Sequence, residues 1–140
     1  MLRNLSLAFF TTLSLLVLVQ GCRESMDTRV TREAREFTVR ECPVEVAPGF
    51  VIDSLTFDRR MRAVCYHFSL HGAADSALID VEAARNRLLR AVIDAPSLRR
   101  YKEAGLAFRY TYRSAADTSR VKFDITLGPD DYLTDSDGKR

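Results

Sequence analysis

Leu106-Ala107-Phe108-Arg109-Tyr110-Thr111-Tyr112-Arg113 is the stretch that decides the fold. Leu106, Phe108, Tyr110 and Tyr112 alternate with Ala107, Arg109, Thr111 and Arg113. Successive side chains of a strand point to opposite faces, so this segment predicts a strand with one buried and one wet face. Val121, Phe123, Ile125 and Leu127 alternate in the same way with Lys122, Asp124 and Thr126. The polar residues 114–119 between them read as a turn, and the two strands as an antiparallel hairpin.

A second hairpin lies upstream. Over residues 63–71, Val64, Tyr66, Phe68 and Leu70 alternate with Cys65, His67, Ser69 and His71. Residues 50–57 predict its partner, with Val51, Leu55 and Phe57 on one face. Asp53 interrupts that face, which marks a peripheral or bent strand. The buried face is rich in rings: Tyr66, Phe68, Phe108, Tyr110, Tyr112 and Phe123. Such a face needs an apolar cover.

Two helical stretches supply one. From Ile79 or Asp80 to Asp94, Val81, Ala84, Leu88, Val92 and Ala95 share one side, with Leu89 beside them. Asp80 suits the N-cap, and Pro96 ends the run. A short helix then begins at Ser97 and ends at Gly105. Residues 28–41 place Val30, Ala34 and Phe37 at i, i+4 and i+7, a helical stripe. The β character of Phe37-Thr38-Val39 leaves a strand as the alternative. Pro43 disfavours helix at Cys42, and Ala47-Pro48-Gly49 is turn chemistry. The expected fold is α+β: a four-stranded antiparallel sheet with helices packed on one face, in the order α-β-β-α-β-β. One domain spans residues 28–133, followed by a polar, disordered tail over 134–140.

The N-terminus carries an address. Arg3 precedes residues 5–19, which hold no charge, and Gly21 stands before Cys22. Charge, apolar core and small residue make a secretory signal. Its ~15 apolar residues fall short of the ~20 that a membrane-crossing helix needs. Val19-Gln20-Gly21-Cys22 resembles the lipobox of bacterial lipoproteins, although Gln20 stands where Ala or Ser is usual. The resemblance implies that residues 1–21 are removed, that the Cys22 thiol is diacylated, and that the new amino group takes a third chain. Arg23 replaces the Asp that retains some lipoproteins in the inner membrane, so the resemblance points to the outer membrane. Residues 22–27 read as a tether, and the domain faces the periplasm or the cell surface.

Removing 21 of the 140 residues leaves 119, enough for one core. With 21 Lys and Arg against 19 Asp and Glu, the net charge is +2. That balance, in an exported chain, excludes nucleic acid as a partner. Arg59-Arg60-Met61-Arg62 and Arg99-Arg100-Tyr101-Lys102 read as solvated turn and helix faces. With Cys22 acylated, Cys42 and Cys65 remain as a candidate disulfide or as two separate buried thiols. A bond would close a loop of about 23 residues and stabilise by ~3 kcal/mol.

Several motifs together are similar to small envelope lipoproteins of the Bacteroidetes. They are Cys42-Pro43 after the first helix, Asp53-Ser54-Leu55 in a strand, Lys102-Glu103-Ala104-Gly105 before Phe108-Arg109-Tyr110-Thr111-Tyr112, and the late Asp131-Tyr132. The resemblance covers most of residues 28–132. It implies a compact envelope domain and carries over no catalytic residue.

Motifs for chemistry are sparse. Cys65-x-His67-x-x-x-His71 shares a strand face, with Cys65 and His67 about 7 Å apart and His71 beyond joint reach. Two solvated histidines on the wet face are the plainer reading. The chain has no His-Glu-x-x-His, no nucleophile-elbow serine and no phosphate-binding glycine loop. Asp135-Ser136-Asp137-Gly138 lacks the distal glutamate of a calcium loop. Asp53, Asp58, Asp124, Asp130 and Asp131 suit turn capping. No catalytic residue, metal or cofactor is expected. The last hairpin's wet face, Arg109, Thr111, Arg113, Lys122 and Asp124, is a candidate docking face; a cross-strand charge ladder is the simpler account. The expected role is a membrane-anchored, non-enzymatic binding or assembly accessory domain with an envelope protein or glycan partner. The alternative is a small envelope enzyme or enzyme inhibitor using the Cys65/His67/His71 face.

Overall fold

The computed structural model describes residues 24–137. The proposed signal, Cys22 and residues 138–140 lie outside that range. No helix among the described residues is long and apolar enough to cross a membrane.

The elements in order are α1 (Met26–Glu41), β1 (Val44–Ala47), β2 (Phe50–Asp58), β3 (Ala63–Leu70), α2 (Ala73–Ser76) and α3 (Val81–Asp94). A 3₁₀ turn (Pro96–Leu98), α4 (Arg99–Glu103), β4 (Ala107–Ser114), β5 (Val121–Leu127) and α5 (Pro129–Asp137) follow. The class is α+β, but the expected four antiparallel strands are replaced by five in a mixed sheet, ordered β1-β2-β3-β4-β5. Both expected hairpins form, β2 with β3 and β4 with β5. They join through parallel pairing of β3 and β4, from Ala63 opposite Ala107 to Leu70 opposite Ser114.

The parallel pairing follows from lengths. β3 has eight residues, about 26 Å of strand. α3 has 14 residues, about 21 Å of helix. One helix therefore returns the chain to the end where β3 began, and β4 must run beside β3 in the same direction. Ala107 N–H donating to the Arg62 carbonyl at 2.9 Å marks that shared starting end. The helix N-terminus is set by Asp80, whose carboxylate accepts from Ala83 N–H at 3.0 Å.

α1 starts two residues earlier than the stripe predicts, because the Ser25 hydroxyl accepts from Thr28 N–H. Its buried residues are Val30 and Ala34. The helix stops where Cys42 and Pro43 turn the chain into β1. The short β1 was not expected; Val44 pairs with Ile52 and Ala47 with Phe50 across the Pro48-Gly49 turn. Beyond β1 the edge of β2 is closed by a side chain. The Thr38 hydroxyl accepts from Leu55 N–H at 2.8 Å and lies 3.0 Å from the Leu55 carbonyl.

Asp53 does not simply interrupt a face; it marks a bulge. Ile52 pairs with Phe68, yet Ser54 pairs with His67. The extra residue shifts the parity of the strand. Leu55 and Phe57 face the core below the bulge, while Ile52 and Phe50, rather than Val51, face it above. A second bulge, between Tyr112 and Arg113, opposes Phe123 and Val121 and leaves Lys122 unpaired.

The chain after Gly128 also departs from expectation, because α5 continues to Asp137 through the segment read as tail. Pro129 and two aspartates suit a helix start. Asp131 accepts from Gly128 N–H at 2.7 Å and pairs with Arg85 at 2.7 Å. Tyr132 is buried, donates to the Leu106 carbonyl at 3.0 Å and meets the Phe108 ring edge-on.

Gly49, in the β1–β2 turn, has φ +77°, and a Cβ there would lie 2.6 Å from the His71 carbonyl oxygen. Gly105 has φ +69° but opens onto free space. Gly49→Ala is expected to cost about 1–3 kcal/mol and Gly105→Ala about 1 kcal/mol. Urea unfolding midpoints at unchanged slope check this order; equal losses would contradict the packing described for Gly49.

Candidate functional site

The parallel register places rings of three strands in one row. Phe68 of β3 stacks on Tyr112 of β4, centroids 4.5 Å apart, and Tyr112 stacks on Phe123 of β5 at 4.2 Å. Phe50 of β2 meets Tyr112 edge-on at 6.3 Å. Below this row, Tyr66 stacks on Tyr110 at 4.9 Å. Ring pairs of this kind each contribute about 0.5–1.5 kcal/mol beyond area burial.

The helices cover this face unequally. α1 lies over Leu55, Val64 and Tyr66, leaving a cavity of about 220 Å³ that also touches Tyr101. The Tyr101 hydroxyl donates to Glu33 there. Since α1 ends at Glu41, the rings at the upper part of the sheet are left to α3, with the short α2 only at the rim. The result is an apolar groove of about 340 Å³. Phe50, Phe68, Tyr112 and Phe123 line its sheet side, Ile79, Ala84 and Leu88 the α3 side, and Val46 and Ala47 the rim at β1. Arg87 completes the lining, is exposed, and has no ion-pair partner among the described residues. Burial pushes the Tyr112 hydroxyl up to about 12, with Arg87 opposing, so the phenol stays neutral. A larger surface basin, about 540 Å³, lies between α3 and α5. Its lining of Asn86, Arg90, Asp130, Asp131 and Thr134 is mainly polar.

The residues singled out in sequence fall elsewhere. Cys22 lies outside the described residues. Cys42 and Cys65 are free thiols rather than a disulfide, Cys65 buried and Cys42 half-buried. Burial raises both thiol pKa values, the reverse of an activated nucleophile. His67 Nε2 pairs with the Thr56 hydroxyl at 2.9 Å, and His71 Nε2 with the Ser69 hydroxyl at 2.9 Å. The Cys65 thiol points to the Ala63 carbonyl at 3.6 Å. The three groups are thus engaged separately. Among the described residues no cluster of three or more His, Cys, Asp or Glu could hold a metal.

The predicted docking face divides. Arg109 forks onto Asp124, with Nε 3.0–3.1 Å from both oxygens and Nη2 2.9 Å from Oδ2. The buried Thr111 donates to Asp124 at 2.8 Å. Desolvation raises the Asp124 pKa, but the Arg109 and Thr111 hydrogen bonds outweigh it and hold the carboxyl below its ordinary value. Arg113 stands exposed beside them. Lys122 leaves the group: its Nζ donates to the Asp75 carbonyl at 2.6 Å. The Asp75 carboxylate accepts from Ser114 at 2.6 Å. The bulge at Lys122 explains this departure, since it breaks the strict alternation on which the grouping relied. Sequence reasoning identified the rings but not the groove, because where the helices stop short is a tertiary fact. The apolar Leu78-Ile79 pair just before the Asp80 cap was the available signal.

The family described as "Domain of unknown function (DUF8479)" matches residues 25–123, and the chain belongs to it. No curated protein matches the sequence. Among solved structures, a Pseudomonas aeruginosa protein described as secreted is similar, with 13% identity and a TM-score of 0.64. The match covers 78% of this chain and 98% of that one. The pilotin EpsS of the Vibrio vulnificus type 2 secretion system is similar at 11% identity and TM-score 0.62, over 76% and 90% of the two chains. The Vibrio cholerae type II secretion pilotin AspS is similar at 13% identity and TM-score 0.57, over 75% and 90%. At such identities the likeness is one of fold.

The Asp124 network has a pH signature. A carboxyl held below its unfolded value contributes stability that is full above that value, near 3.8. The contribution is lost as pH falls through the folded pKa. Asp124→Asn is therefore expected to flatten the acid limb of a stability–pH profile measured by urea unfolding below about pH 4. An unchanged acid limb would contradict the network.

Proposed function

We propose that this DUF8479 domain is a lipid-anchored, non-enzymatic accessory protein of the bacterial cell envelope, which holds a protein partner in the aromatic groove. The groove carries the reading. Its walls are aromatic and aliphatic, and its polar lining is limited to Arg87 and the Tyr112 hydroxyl. A glycan needs several convergent hydrogen-bond partners; an amphipathic protein segment needs apolar walls and an oriented charge at the rim. An apolar helix face bearing a carboxylate suits the groove and Arg87. The fold supports the setting, since it is shared with two type II secretion pilotins and a protein described as secreted. Acylation at Cys22 and residence in the outer membrane complete the proposal. The anchor raises the local concentration of domain and partner, so modest affinity suffices. The enzymatic alternative gains no support from the separate engagement of Cys65, His67 and His71 described above.

A photo-reactive residue at Ala84, introduced into the full chain in cells, is expected to trap a discrete protein adduct. The same residue at Arg113, on the opposite sheet face, is expected to trap none. Arg87→Glu is expected to reduce the Ala84 adduct roughly five- to thirtyfold, since reversing a rim charge against a carboxylate costs on the order of 1–2 kcal/mol. Adducts at Arg113 but not at Ala84 would overturn the groove as the binding site.

A further inference from the structure

The end of the domain where the chain enters differs in chemistry from the groove. α1 begins beside the β2–β3 turn, with Arg62 Nη2 3.6 Å from Asp27 Oδ1. Residues 59–62 form that turn and hold Arg59, Arg60 and Met61, all exposed. Neither the Arg59 nor the Arg60 guanidinium has an ion-pair partner among the described residues. α4 adds Arg100, exposed and likewise unpaired, at the same end; Arg62 reaches the Ala104 carbonyl there at 3.5 Å.

The neighbouring acids are already engaged. Asp58 accepts from the Arg60 and Met61 N–H groups at 2.9 and 3.0 Å. Glu103 takes Arg99 at 2.8 Å, and Glu24 takes Arg32 at 3.1 Å. The Asp58 partners are backbone amides, so its charge remains, but it stands alone against the unpaired Arg59, Arg60 and Arg100, and the surface keeps cations in excess around an apolar Met61 that is 47% exposed. The groove, the Gly49 turn and the fully exposed Leu78 lie at the other end of the sheet, roughly 25 Å away along β3.

We propose that this basic turn is a contact surface for anionic phospholipid headgroups. The anchored domain then stands with residues 59–62 on the bilayer and its groove facing away. The inference rests on the anchored reading and deepens it. One residue, Arg23, separates Cys22 from Glu24, at most ~7 Å of chain from one Cα to the other. That span is shorter than the ~8–10 Å over which salt screens charge. The β2–β3 turn meets α1 at Asp27, about one helical turn (~5 Å) past Glu24, which places Arg59 and Arg60 within about one to two screening lengths of the headgroups, with Met61 as an apolar tip beside them. Each such arginine strengthens attachment to an anionic surface roughly fivefold.

The chain contains no tryptophan, so Met61→Trp and Leu78→Trp each install a single fluorescent probe. The full chain, extracted from bacterial membranes, is reconstituted into phosphatidylcholine vesicles with brominated acyl chains, with and without phosphatidylglycerol. Flotation is expected to show membrane attachment of both variants. Quenching is expected for the Met61→Trp indole and not for the Leu78→Trp indole. It is expected to rise with phosphatidylglycerol and to fall at least about fivefold on adding Arg59→Glu and Arg60→Glu. In a chain that floats, equal quenching at the two positions overturns the contact surface and leaves the anchor standing. So does quenching that is insensitive to phosphatidylglycerol and to charge reversal. A chain that floats with no vesicle removes the anchor and this inference together.

Discussion

The parallel pairing of β3 and β4 is the constraint on which the rest of the molecule depends. It joins two antiparallel hairpins into one sheet and requires a crossover between them. The crossover contains α2, α3 and α4. It also sets in register the rings of three strands, Phe68, Tyr112 and Phe123. Antiparallel joining of the same hairpins would run β4 the other way and give these rings different cross-strand partners.

Covering that row is an unequal division of labour. α1 seats Val30 and Ala34 over the lower part of β2 and β3, and Thr38 closes the β2 edge below β1. α3 seats Val92 fully in the core near its C-terminus. Lys102 donates to the last carbonyls of α3, those of Val92 and Ile93, at 2.8 and 2.7 Å. This ties α3 down at the end nearest the chain's entry. At the upper end the four-residue α2 holds only the rim, where Asp75 binds Ser114 and Lys122, and the groove remains between it, α3 and the rings. Two distinct surfaces result: a basic turn where the chain enters and an aromatic groove at the opposite end.

Alternation along β3, β4 and β5 made the strands, their buried faces and both hairpins legible in the sequence. The Asp80 cap and the Pro96 stop were legible for the same reason, since each is local chemistry. What could not be read was relational. Two hairpins around a helix are compatible with antiparallel or parallel joining, and only the match of helix length to strand length decides it. Both bulges escaped for a related reason: one extra residue leaves composition unchanged while re-aiming Ile52 in one strand and Lys122 in another. The C-terminal helix was hidden by polar composition, because its hold on the domain is concentrated in Asp131 and Tyr132. The candidate site was legible as residues and illegible as a place. The rings were recognised as core, and nothing local reveals that α1 ends too early to cover them.

The proposed working surface of the anchored domain is the groove between α3 and the upper sheet. Hydrogen exchange on the chain in its native membranes, compared with the purified chain, reads the occupancy of that groove. Slowed exchange is expected at residues 46–50 and 79–88 in the membranes, with no change over residues 109–113. Slowing confined to residues 109–113 and 121–126, with the groove unchanged, would contradict the groove as that surface.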